Sequence, residues 1–339
     1  MNGASLVSPA PIVAILGPTA SGKSALGVRL AERFGGEILA CDSTQVYCGF
    51  DIGTVKPSAA ERRGVPHHLL DLVDPSEVFT AGEYRRRAEV VLADLRSRGR
   101  LPILTVGTGL YLRALFEGLA DAPERSADLR ARLEARAAAR GPEYLHRILA
   151  RIDTEAARRI SPRDRQKLVR AIEISVLAGK PVSEVHRAGR DPLTGYAPIR
   201  IGLDPPRAAL RERIERRTQE MLAQGWLDEV AELIRRGVPA PSKPFEFIGY
   251  RALREHLEGR ASLADATAVI VQATRHYAKR QLTWFRREPE VTWLAGFGDD
   301  PAIADAAERL IAAQLAASRS SAKNISPDRP ITPRSRADV

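Results

Sequence analysis

Cysteine is scarce in this sequence. The 339 residues include only two, Cys41 and Cys48. These two lie too close together along the chain to build a disulfide framework, and they do not have the spacing of a zinc cluster. So little cysteine fits a reducing compartment, and we expect a cytoplasmic protein.

Long apolar runs are missing as well. The stretch PIVAIL near the first residue runs directly into a glycine turn, without the charged flank or cleavage site of a signal peptide. No later segment reaches the roughly 20 apolar residues that a membrane-spanning helix needs. His67 and His68 lack cysteine or carboxylate neighbours at ligand spacing, which favours polar residues at a strand end over metal ligands. We therefore expect no membrane partner and no histidine-based metal site.

Positive charge is in excess. The chain has 52 Lys and Arg against 42 Asp and Glu, a net charge of +10. This excess points to a polyanion such as nucleic acid, although a GC-rich genome also raises the arginine content. Residues 124–190 alone contain 16 Lys and Arg against 9 Asp and Glu, so this segment carries +7 of the total. Its pattern is helical, which predicts an Arg-rich helical lobe inserted into another domain.

Short buried-strand patterns alternate with helical patterns outside that segment. The strand patterns are IVAIL (12–16), EILAC (37–41), HHLLDLV (67–73), LPILTV (101–106), IRIGL (199–203) and VTWLA (291–295). Alternation of this kind predicts an α/β fold: a P-loop NTPase-like parallel sheet flanked by helices, with an inserted all-helical lobe. We assign residues 1–120 and 198–316 to the core with its C-terminal helices, and residues 121–197 to the lobe. The polar, Pro- and Ser-rich residues 317–339 are expected to be disordered.

Residues 17–24, GPTASGKS, match the phosphate-loop pattern GxxxxGKS between a strand and a helix. Glycines let backbone N–H groups turn toward phosphate oxygens, and the helix N-terminus adds a favourable dipole. Lys23 supplies a positive charge, and the Ser24 hydroxyl can bind Mg²⁺. The predicted phosphate site consists of Gly17, Pro18, Thr19, Ala20, Ser21, Gly22, Lys23 and Ser24.

The use made of the phosphate is less evident from these residues. An ATPase usually places a metal-binding Asp at the end of a neighbouring strand, whereas LPILTV ends in Gly107, Thr108 and Gly109. The carboxylate at hand is Asp42, after EILAC. It could act on an acceptor lying over the phosphates, cap a helix or bind magnesium. A group transferase, a small-molecule or nucleotide kinase with an Arg-rich lid, and a non-catalytic P-loop nucleic-acid binder all remain open at this point.

Seven segments carry a family resemblance. They are GPTASGKS, DSTQVYCGFDIGTVKP, PHHLLDLVDP, VGTGLYLRAL, RQKLVRAIEI, FIGYRAL and QATRHYAKRQLTWFR, in this order across residues 12–295. The chain resembles the tRNA dimethylallyltransferases, isopentenyl transferases that modify the adenosine 3′-adjacent to the anticodon. It departs from the usual pattern at Val106, where a glycine is common, at Lys167, where an arginine is common, and at His276, where an amide is common.

The resemblance implies that diphosphate is a leaving group. In this family a dimethylallyl group passes from dimethylallyl diphosphate to N6 of the adenosine, giving N6-isopentenyladenosine, with Mg²⁺ as cofactor. By similarity Asp42 is the general base, and Lys23 and Thr108 act on the diphosphate. Arg217 is a candidate to neutralise the same charge, with Arg213 and Arg216 as neighbouring candidates.

The resemblance also implies contacts with the anticodon stem-loop of tRNA. The residues assigned to the RNA are Asp42, Ser43, Thr44, Gln45, Thr108, Arg130, Gln166, Lys167, Leu168, Val169, Arg170, Arg275 and Lys279. The last two lie on a basic face of the last long helix, which we expect beside Tyr277 and Trp284. An ordinary solvated basic face is the alternative there. Nothing in this mode of recognition needs two-fold symmetry, and we expect a monomer.

Overall fold

The structure is a computed structural model that describes residues 9–120, 122–187 and 189–323. Its strands are β1 (Ala10–Leu16), β2 (Gly36–Cys41), β3 (His67–His68), β4 (Leu101–Val106), β5 (Tyr196–Leu203) and β6 (Val291–Leu294). They form one sheet in the order β3-β2-β4-β1-β5-β6. Every pairing is parallel. The predicted α/β fold with a parallel sheet is confirmed.

The apolar sequence of β1 follows from its position in the middle of the sheet. Residues 12–16 of β1 have no solvent exposure, as expected for a parallel strand covered on both faces, which reads as an unbroken apolar run. Ile15 of β1 aligns with Thr105 of β4 and with Ile201 of β5. Because β1, β2 and β4 are parallel neighbours, the residues that follow them meet at one edge of the sheet.

The first helices alternate with the strands. They are α1 (Lys23–Phe34), α2 (Ala59–Arg62), α3 (Ala81–Ser97) and α4 (Gly109–Phe116). α1 ends at Gly35, whose φ of 63° is left-handed, as is common for a glycine after a helix. Gly27 brings α1 close to the sheet, since a Cβ there would lie 2.9 Å from Cγ2 of Thr105. α1 is thus packed closely against β4, the neighbour of β1 in the sheet.

Residues Arg113–Leu193 form a separate compact unit. Its helices are α5 (Ala127–Arg140), α6 (Pro142–Ile152), α7 (Thr154–Arg159), α8 (Arg165–Ala178) and α9 (Val182–Arg187). They enclose their own apolar core, which includes Leu133, Leu149 and Ile172. This unit begins earlier than the lobe expected at 121–197, because the second half of α4 belongs to it, and it ends four residues earlier. We call residues 113–193 the lobe below.

The remaining helices belong to the larger unit, which comprises the chain up to Leu112 and from Thr194 onward. They are α10 (Arg207–Ala223), α11 (Trp226–Arg235), α12 (Tyr250–Leu257), α13 (Leu263–Phe285) and α14 (Pro301–Lys323). α14 buries Ala304, Ala307 and Ile311 against the sheet core. α14 continues through residues 317–323, the first part of the stretch expected to be disordered. Residues 324–339 of the expected tail lie outside the described residues.

The third strand is much shorter than expected. HHLLDLV predicted seven extended residues, but β3 comprises two. Leu69 and Asp71 have φ values of 67° and 52°, which an extended strand cannot contain. Beyond them, the N–H groups of Leu72 and Val73 donate to the carbonyl of Val46, at 2.7 and 3.1 Å. The segment therefore leaves the sheet and pairs with the loop that follows β2.

No helix within the described part of the chain is apolar enough over a sufficient length to cross a bilayer.

Candidate active site

The phosphate-loop motif lies between β1 and α1, as the sequence predicts. Gly22 precedes α1 with a φ of 87°, and a Cβ at this position would lie 2.5 Å from Oδ1 of Asp299. Both its backbone conformation and its surroundings therefore require glycine. Ser21 is buried, and its carbonyl accepts a hydrogen bond from Gly298 N at 2.8 Å. The segment after β6 thus supports the loop from one side.

The Lys23 ammonium turns back onto its own loop. Nζ donates to the carbonyl oxygens of Gly17 and Pro18, both at 2.9 Å. Burial lowers the pKa of Lys23 to about 8, the Asp42 carboxylate opposes this shift, and the Arg217 guanidinium adds to it. The charges of two predicted site residues, Asp42 and Arg217, therefore both affect Lys23. It is a cation held at the mouth of the loop, and among the described residues its bonded partners are these two carbonyl oxygens.

Asp42 occupies the end of β2, beside the end of β4. Its Oδ1 accepts hydrogen bonds from the backbone N and the hydroxyl of Thr44, at 2.9 and 2.8 Å. Oδ2 faces Gly107 so closely that a Cβ on this glycine would lie 1.9 Å from it. Among the described residues Oδ2 accepts no hydrogen bond. One oxygen is therefore held by the protein, and the other is left for a proton or a donor.

Thr108 joins the two strand ends at the same edge. Its Oγ1 accepts a hydrogen bond from Ser43 N at 2.9 Å and lies 3.1 Å from Ser43 Oγ, to which it donates. Its backbone N donates to the carbonyl of Cys41 at 2.9 Å. The predicted residues Asp42, Ser43, Thr44 and Thr108 are thus brought together in one cluster.

Gln45 is tied to its own loop. Its Nε2 donates to the carbonyls of Thr54 and Val55, at 3.1 and 3.0 Å. Because both N–H groups are used, the side chain has only its carbonyl oxygen to offer to a ligand.

Gln281 of α13 links the phosphate loop to β4, a role that our reading of the motifs missed. Its Oε1 accepts from Thr19 N at 2.7 Å, and its Nε2 donates to the carbonyl of Gly107 at 2.8 Å. Tyr277 donates to the same carbonyl at 3.2 Å. The pKa of Tyr277 is raised by burial and by the Asp42 carboxylate. The one available signal was a lone amide in an otherwise charged stretch of helix.

The structure distinguishes the three neighbouring arginines of α10. Arg213 donates to both carboxylate oxygens of Asp299, at 2.8 and 2.6 Å, and Arg216 is exposed and pairs with Glu220. Arg217 is partly buried, and no described residue forms an ion pair with it. Burial, and next the Arg213 charge, lower its pKa. Arg217 is therefore the member of the trio available to a new anion.

Ser24 follows Lys23 in the first turn of α1 and is exposed. No cluster of three or more His, Cys, Asp or Glu side chains that could hold a metal ion occurs among the residues with described positions. Mg²⁺ is commonly held by one or two protein oxygens together with substrate phosphates and water. A serine hydroxyl beside a phosphate loop fits that kind of ligand set.

The lobe residues assigned to RNA fall into two groups. Leu168 and Val169 are fully buried in the apolar core, so their side chains cannot contact RNA, and this part of the assignment needs correction. Gln166 and Lys167 are exposed, and Arg170 is partly buried. Lys167 pairs with Asp164 at 2.6 Å. Arg130 and Arg170 both bond to the buried Glu173.

Arg275 and Lys279 line a groove of about 550 Å³ between α10 and α13, and Arg286 lies in the same groove. Arg275 donates to Glu215 at 2.9 Å. Tyr277 contacts Gly107 instead, and Trp284 lies against Gly109, where a Cβ would be 2.1 Å from the indole Nε1. Tyr277 is thus turned toward Gly107 rather than toward this groove, whereas Trp284 lines a second groove together with Lys279.

These features define a P-loop α/β protein with a carboxylate beside its phosphate loop. The model of the family described as IPP transferase matches residues 45–288, which is most of the chain. This chain belongs to the IPP transferase family.

Relatives and solved structures agree with this assignment. The tRNA dimethylallyltransferase of Koribacter versatilis is 54% identical over 297 residues, covering 88% of this chain and 96% of the relative. The full-length tRNA isopentenylpyrophosphate transferase of Bacillus halodurans is 37% identical with a TM-score of 0.67, covering 93% of this chain and 98% of its own. A eukaryotic dimethylallyltransferase captured acting on tRNA is 26% identical with a TM-score of 0.77, covering 96% and 82%.

Proposed function

We propose that this chain transfers the dimethylallyl group of dimethylallyl diphosphate to N6 of the adenosine 3′-adjacent to the anticodon in tRNA. The observation that carries the proposal is the Asp42 carboxylate, which lies beside the phosphate loop with Oδ1 held by Thr44 and Oδ2 without a described partner. A base in this position can act on an acceptor lying over a bound diphosphate. The names of the relatives support the same reaction.

The diphosphate half of the reaction needs positive charge and backbone donors. Departure of diphosphate is favourable only if the growing charge on its oxygens is neutralised. Lys23 and Arg217 are the two cations at hand, and the N-terminus of α1 supplies oriented N–H groups. Ser24 is the residue that would hold Mg²⁺, which would neutralise further charge on the diphosphate when bound.

The acceptor half needs a base. The adenine N6 amine is a poor nucleophile because its lone pair is delocalised into the ring. As the bond from N6 to the prenyl carbon forms and the bond from that carbon to diphosphate oxygen breaks, N6 must lose a proton. We assign the proton to Asp42 Oδ2. Thr44 keeps the carboxylate oriented through Oδ1, and Thr108 holds Ser43 in place.

The target base must leave its stack before it can be alkylated on an exocyclic amine. The polar residues after β2 are proposed to contact the flipped base and its neighbours, with Gln45 offering only an acceptor. The anticodon stem-loop is proposed to bind to Arg130, Gln166, Lys167 and Arg170 of the lobe and to Arg275 and Lys279 of α13. We propose that a cytoplasmic monomer performs the reaction.

The test compares two labelled donors. The purified chain is incubated with unmodified tRNA and either labelled dimethylallyl diphosphate or labelled ATP, and the modified nucleoside is identified by mass spectrometry after digestion. We expect prenyl label at a single adenosine next to the anticodon and no label from ATP. Transfer of phosphate from ATP with no use of the prenyl donor would identify a kinase and refute the proposal.

A further inference from the structure

A fully buried carboxylate lies in the middle of the lobe. Glu173 of α8 has no solvent exposure, and its neighbours on the helix include Ala171, Ile172 and Ile174 of the apolar core. An ionised carboxylate at such a position is strongly destabilising unless it is paired and hydrogen-bonded. The hydrogen-bond partners of Glu173 therefore decide whether its charge is tolerated at this position.

Those partners are a helix start and two arginines. Oε1 accepts from Ser126 N at 2.9 Å and from Arg130 Nε at 3.0 Å, and Oε2 accepts from Arg170 Nη1 at 2.8 Å. Burial raises the pKa of Glu173, but the bonds from Arg170, Arg130 and Ser126 outweigh it, so the pKa lies below its usual value. Glu173 is therefore an anion at neutral pH.

Both arginines keep part of their guanidinium group for another ligand. Arg130 uses only Nε on Glu173, and its two Nη groups bond to no described residue. Arg170 gives Nη1 to Glu173 and Nη2 to the carbonyl of Pro123 at 3.0 Å, which leaves its Nε. Each of the two side chains is 29% exposed. The nitrogen atoms bonded to Glu173 and Pro123 are thus held in place, while each side chain as a whole stays partly exposed.

The same carboxylate holds the helix that carries one of the arginines. Ser126 gives its backbone N to Glu173, and its Oγ accepts from Leu129 N at 3.3 Å as the cap of α5. Arg130 lies one turn into this helix. Two guanidinium groups side by side repel each other, and a shared anion removes that repulsion and restricts their rotamers.

We propose that Glu173 is a positioning residue for RNA: it holds Arg130 and Arg170 as a preformed pair that grips phosphates of the anticodon stem-loop. This inference rests on the proposed function, because it needs tRNA as the substrate. Long side chains lose rotamer freedom when they bind a ligand, which weakens binding. Because Glu173 already orders these two side chains, this loss is smaller in the binding step. Glu173 itself touches no RNA in this account.

The first test is Glu173→Gln, which keeps the shape of the side chain but replaces one acceptor oxygen with a donor. We expect the KM for tRNA to rise about tenfold or more, the effect of removing one charge-assisted hydrogen bond. The kcat at saturating tRNA and the KM for dimethylallyl diphosphate should stay unchanged. The plot of log KM for tRNA against log salt should become shallower by roughly 0.7 for each phosphate of a single-stranded loop that the protein no longer neutralises.

A matched control lies in the same lobe. Asp153 is buried and accepts hydrogen bonds from Ala156 N and Ser183 N, at 2.8 and 2.7 Å, and no described arginine is hydrogen-bonded to it. Asp153→Asn should lower the thermal stability without changing the salt slope. If Glu173→Gln lowers stability but leaves the KM for tRNA and the salt slope unchanged, Glu173 has only a structural role and the proposal is overturned.

A double-mutant comparison tests the route of the effect. If Glu173 acts through its two arginines, then Glu173→Gln should weaken tRNA binding less in an Arg170→Gln background than in the wild type, because only Arg130 is then left to position. Fully additive effects would overturn the proposal. Should Glu173→Gln fail to fold, Arg130→Gln and Arg170→Gln each remove one phosphate-binding charge, and unchanged salt slopes in both would also overturn the proposal. Absence of prenylation by the wild-type chain would instead refute the proposed function.

Discussion

Asp42 and Thr44 form a rigid unit in which the backbone N and the hydroxyl of Thr44 both donate to the same carboxylate oxygen, at 2.9 and 2.8 Å. This leaves Oδ2 beside Gly107, where no larger residue would fit. In the proposed reaction the two oxygens of this carboxylate have different tasks, because Oδ1 fixes its orientation and Oδ2 accepts the proton from N6.

Asp42→Asn should reduce the single-turnover rate of prenyl transfer by about 10²- to 10⁴-fold, the usual effect of losing a general base. Binding of dimethylallyl diphosphate should be nearly unchanged, because the diphosphate is assigned to the loop and to cations. Rapid-quench kinetics and calorimetry measure the two effects. Asp74→Asn is the control, an exposed carboxylate that accepts from Ser76. An unchanged chemical rate in Asp42→Asn would remove this residue from the base role.

Loss of the positive charge on Lys23 should limit activity at alkaline pH. Its pKa is lowered from 10.5 to about 8, so the free enzyme loses this positive charge as the pH rises through about 8. The kcat/KM for dimethylallyl diphosphate, which reports the free enzyme, should fall in the same range. Lys23→Arg should abolish this fall in kcat/KM because a guanidinium stays charged. If kcat/KM of Lys23→Arg still falls near pH 8, a group other than Lys23 is responsible.

The same shift has a consequence for stability. Between pH 8 and 10.5 the Lys23 side chain binds more protons in the unfolded chain than in the folded one. Its contribution to the free energy of unfolding therefore rises with pH in this window. Denaturation of wild type and Lys23→Met across this range should give a difference that grows with pH in favour of the wild type. A difference that stays constant across the range would contradict the lowered pKa.

Replacement of Arg217 should lower activity with dimethylallyl diphosphate, whereas replacement of the adjacent Arg216 should not. Arg217→Gln is expected to lower kcat/KM for dimethylallyl diphosphate by roughly 10²-fold, as for the loss of one donor to a developing anion. Arg216→Gln removes only an exposed ion pair with Glu220 and should behave like wild type. Inhibition by added pyrophosphate should weaken in Arg217→Gln alone. Equal behaviour of the two variants would argue against the assignment.

Gln281→Leu tests the link between α13 and the phosphate loop. It leaves Thr19 N–H without its partner, while the carbonyl of Gly107 keeps its bond from Tyr277. We expect a loss of about 1–3 kcal/mol in the free energy of unfolding, together with a higher KM for dimethylallyl diphosphate. Gln272→Leu, an exposed position on the same helix, is the control. A normal KM in Gln281→Leu would mean that the loop keeps its shape without this bond.

The sequence alone predicted the local structure of those parts of the candidate site that are encoded over a short stretch. The strand, the glycine turn and the helix after it are contiguous, so the pattern of residues 12–34 is enough to predict the phosphate loop. Asp42 and Thr108 were predictable because parallel strands bring their carboxyl ends to one edge. The charge of the lobe was evident from simple counting.

What the sequence could not supply are relationships set by packing. Gln281 meets Thr19 across 262 residues of chain, and no local pattern indicates such a contact. Arg217 rather than Arg213 is available to an anion because Arg213 is hydrogen-bonded to Asp299. The length of β3 depends on the loop after β2, with which the following residues pair. Leu168 and Val169 lie inside the RNA-assigned stretch yet face the core, because a helix turns successive residues about 100° and sends only some of them to the surface. The sequence thus determined which chemical groups are present, and the tertiary structure decided which of them meet and which remain free to bind.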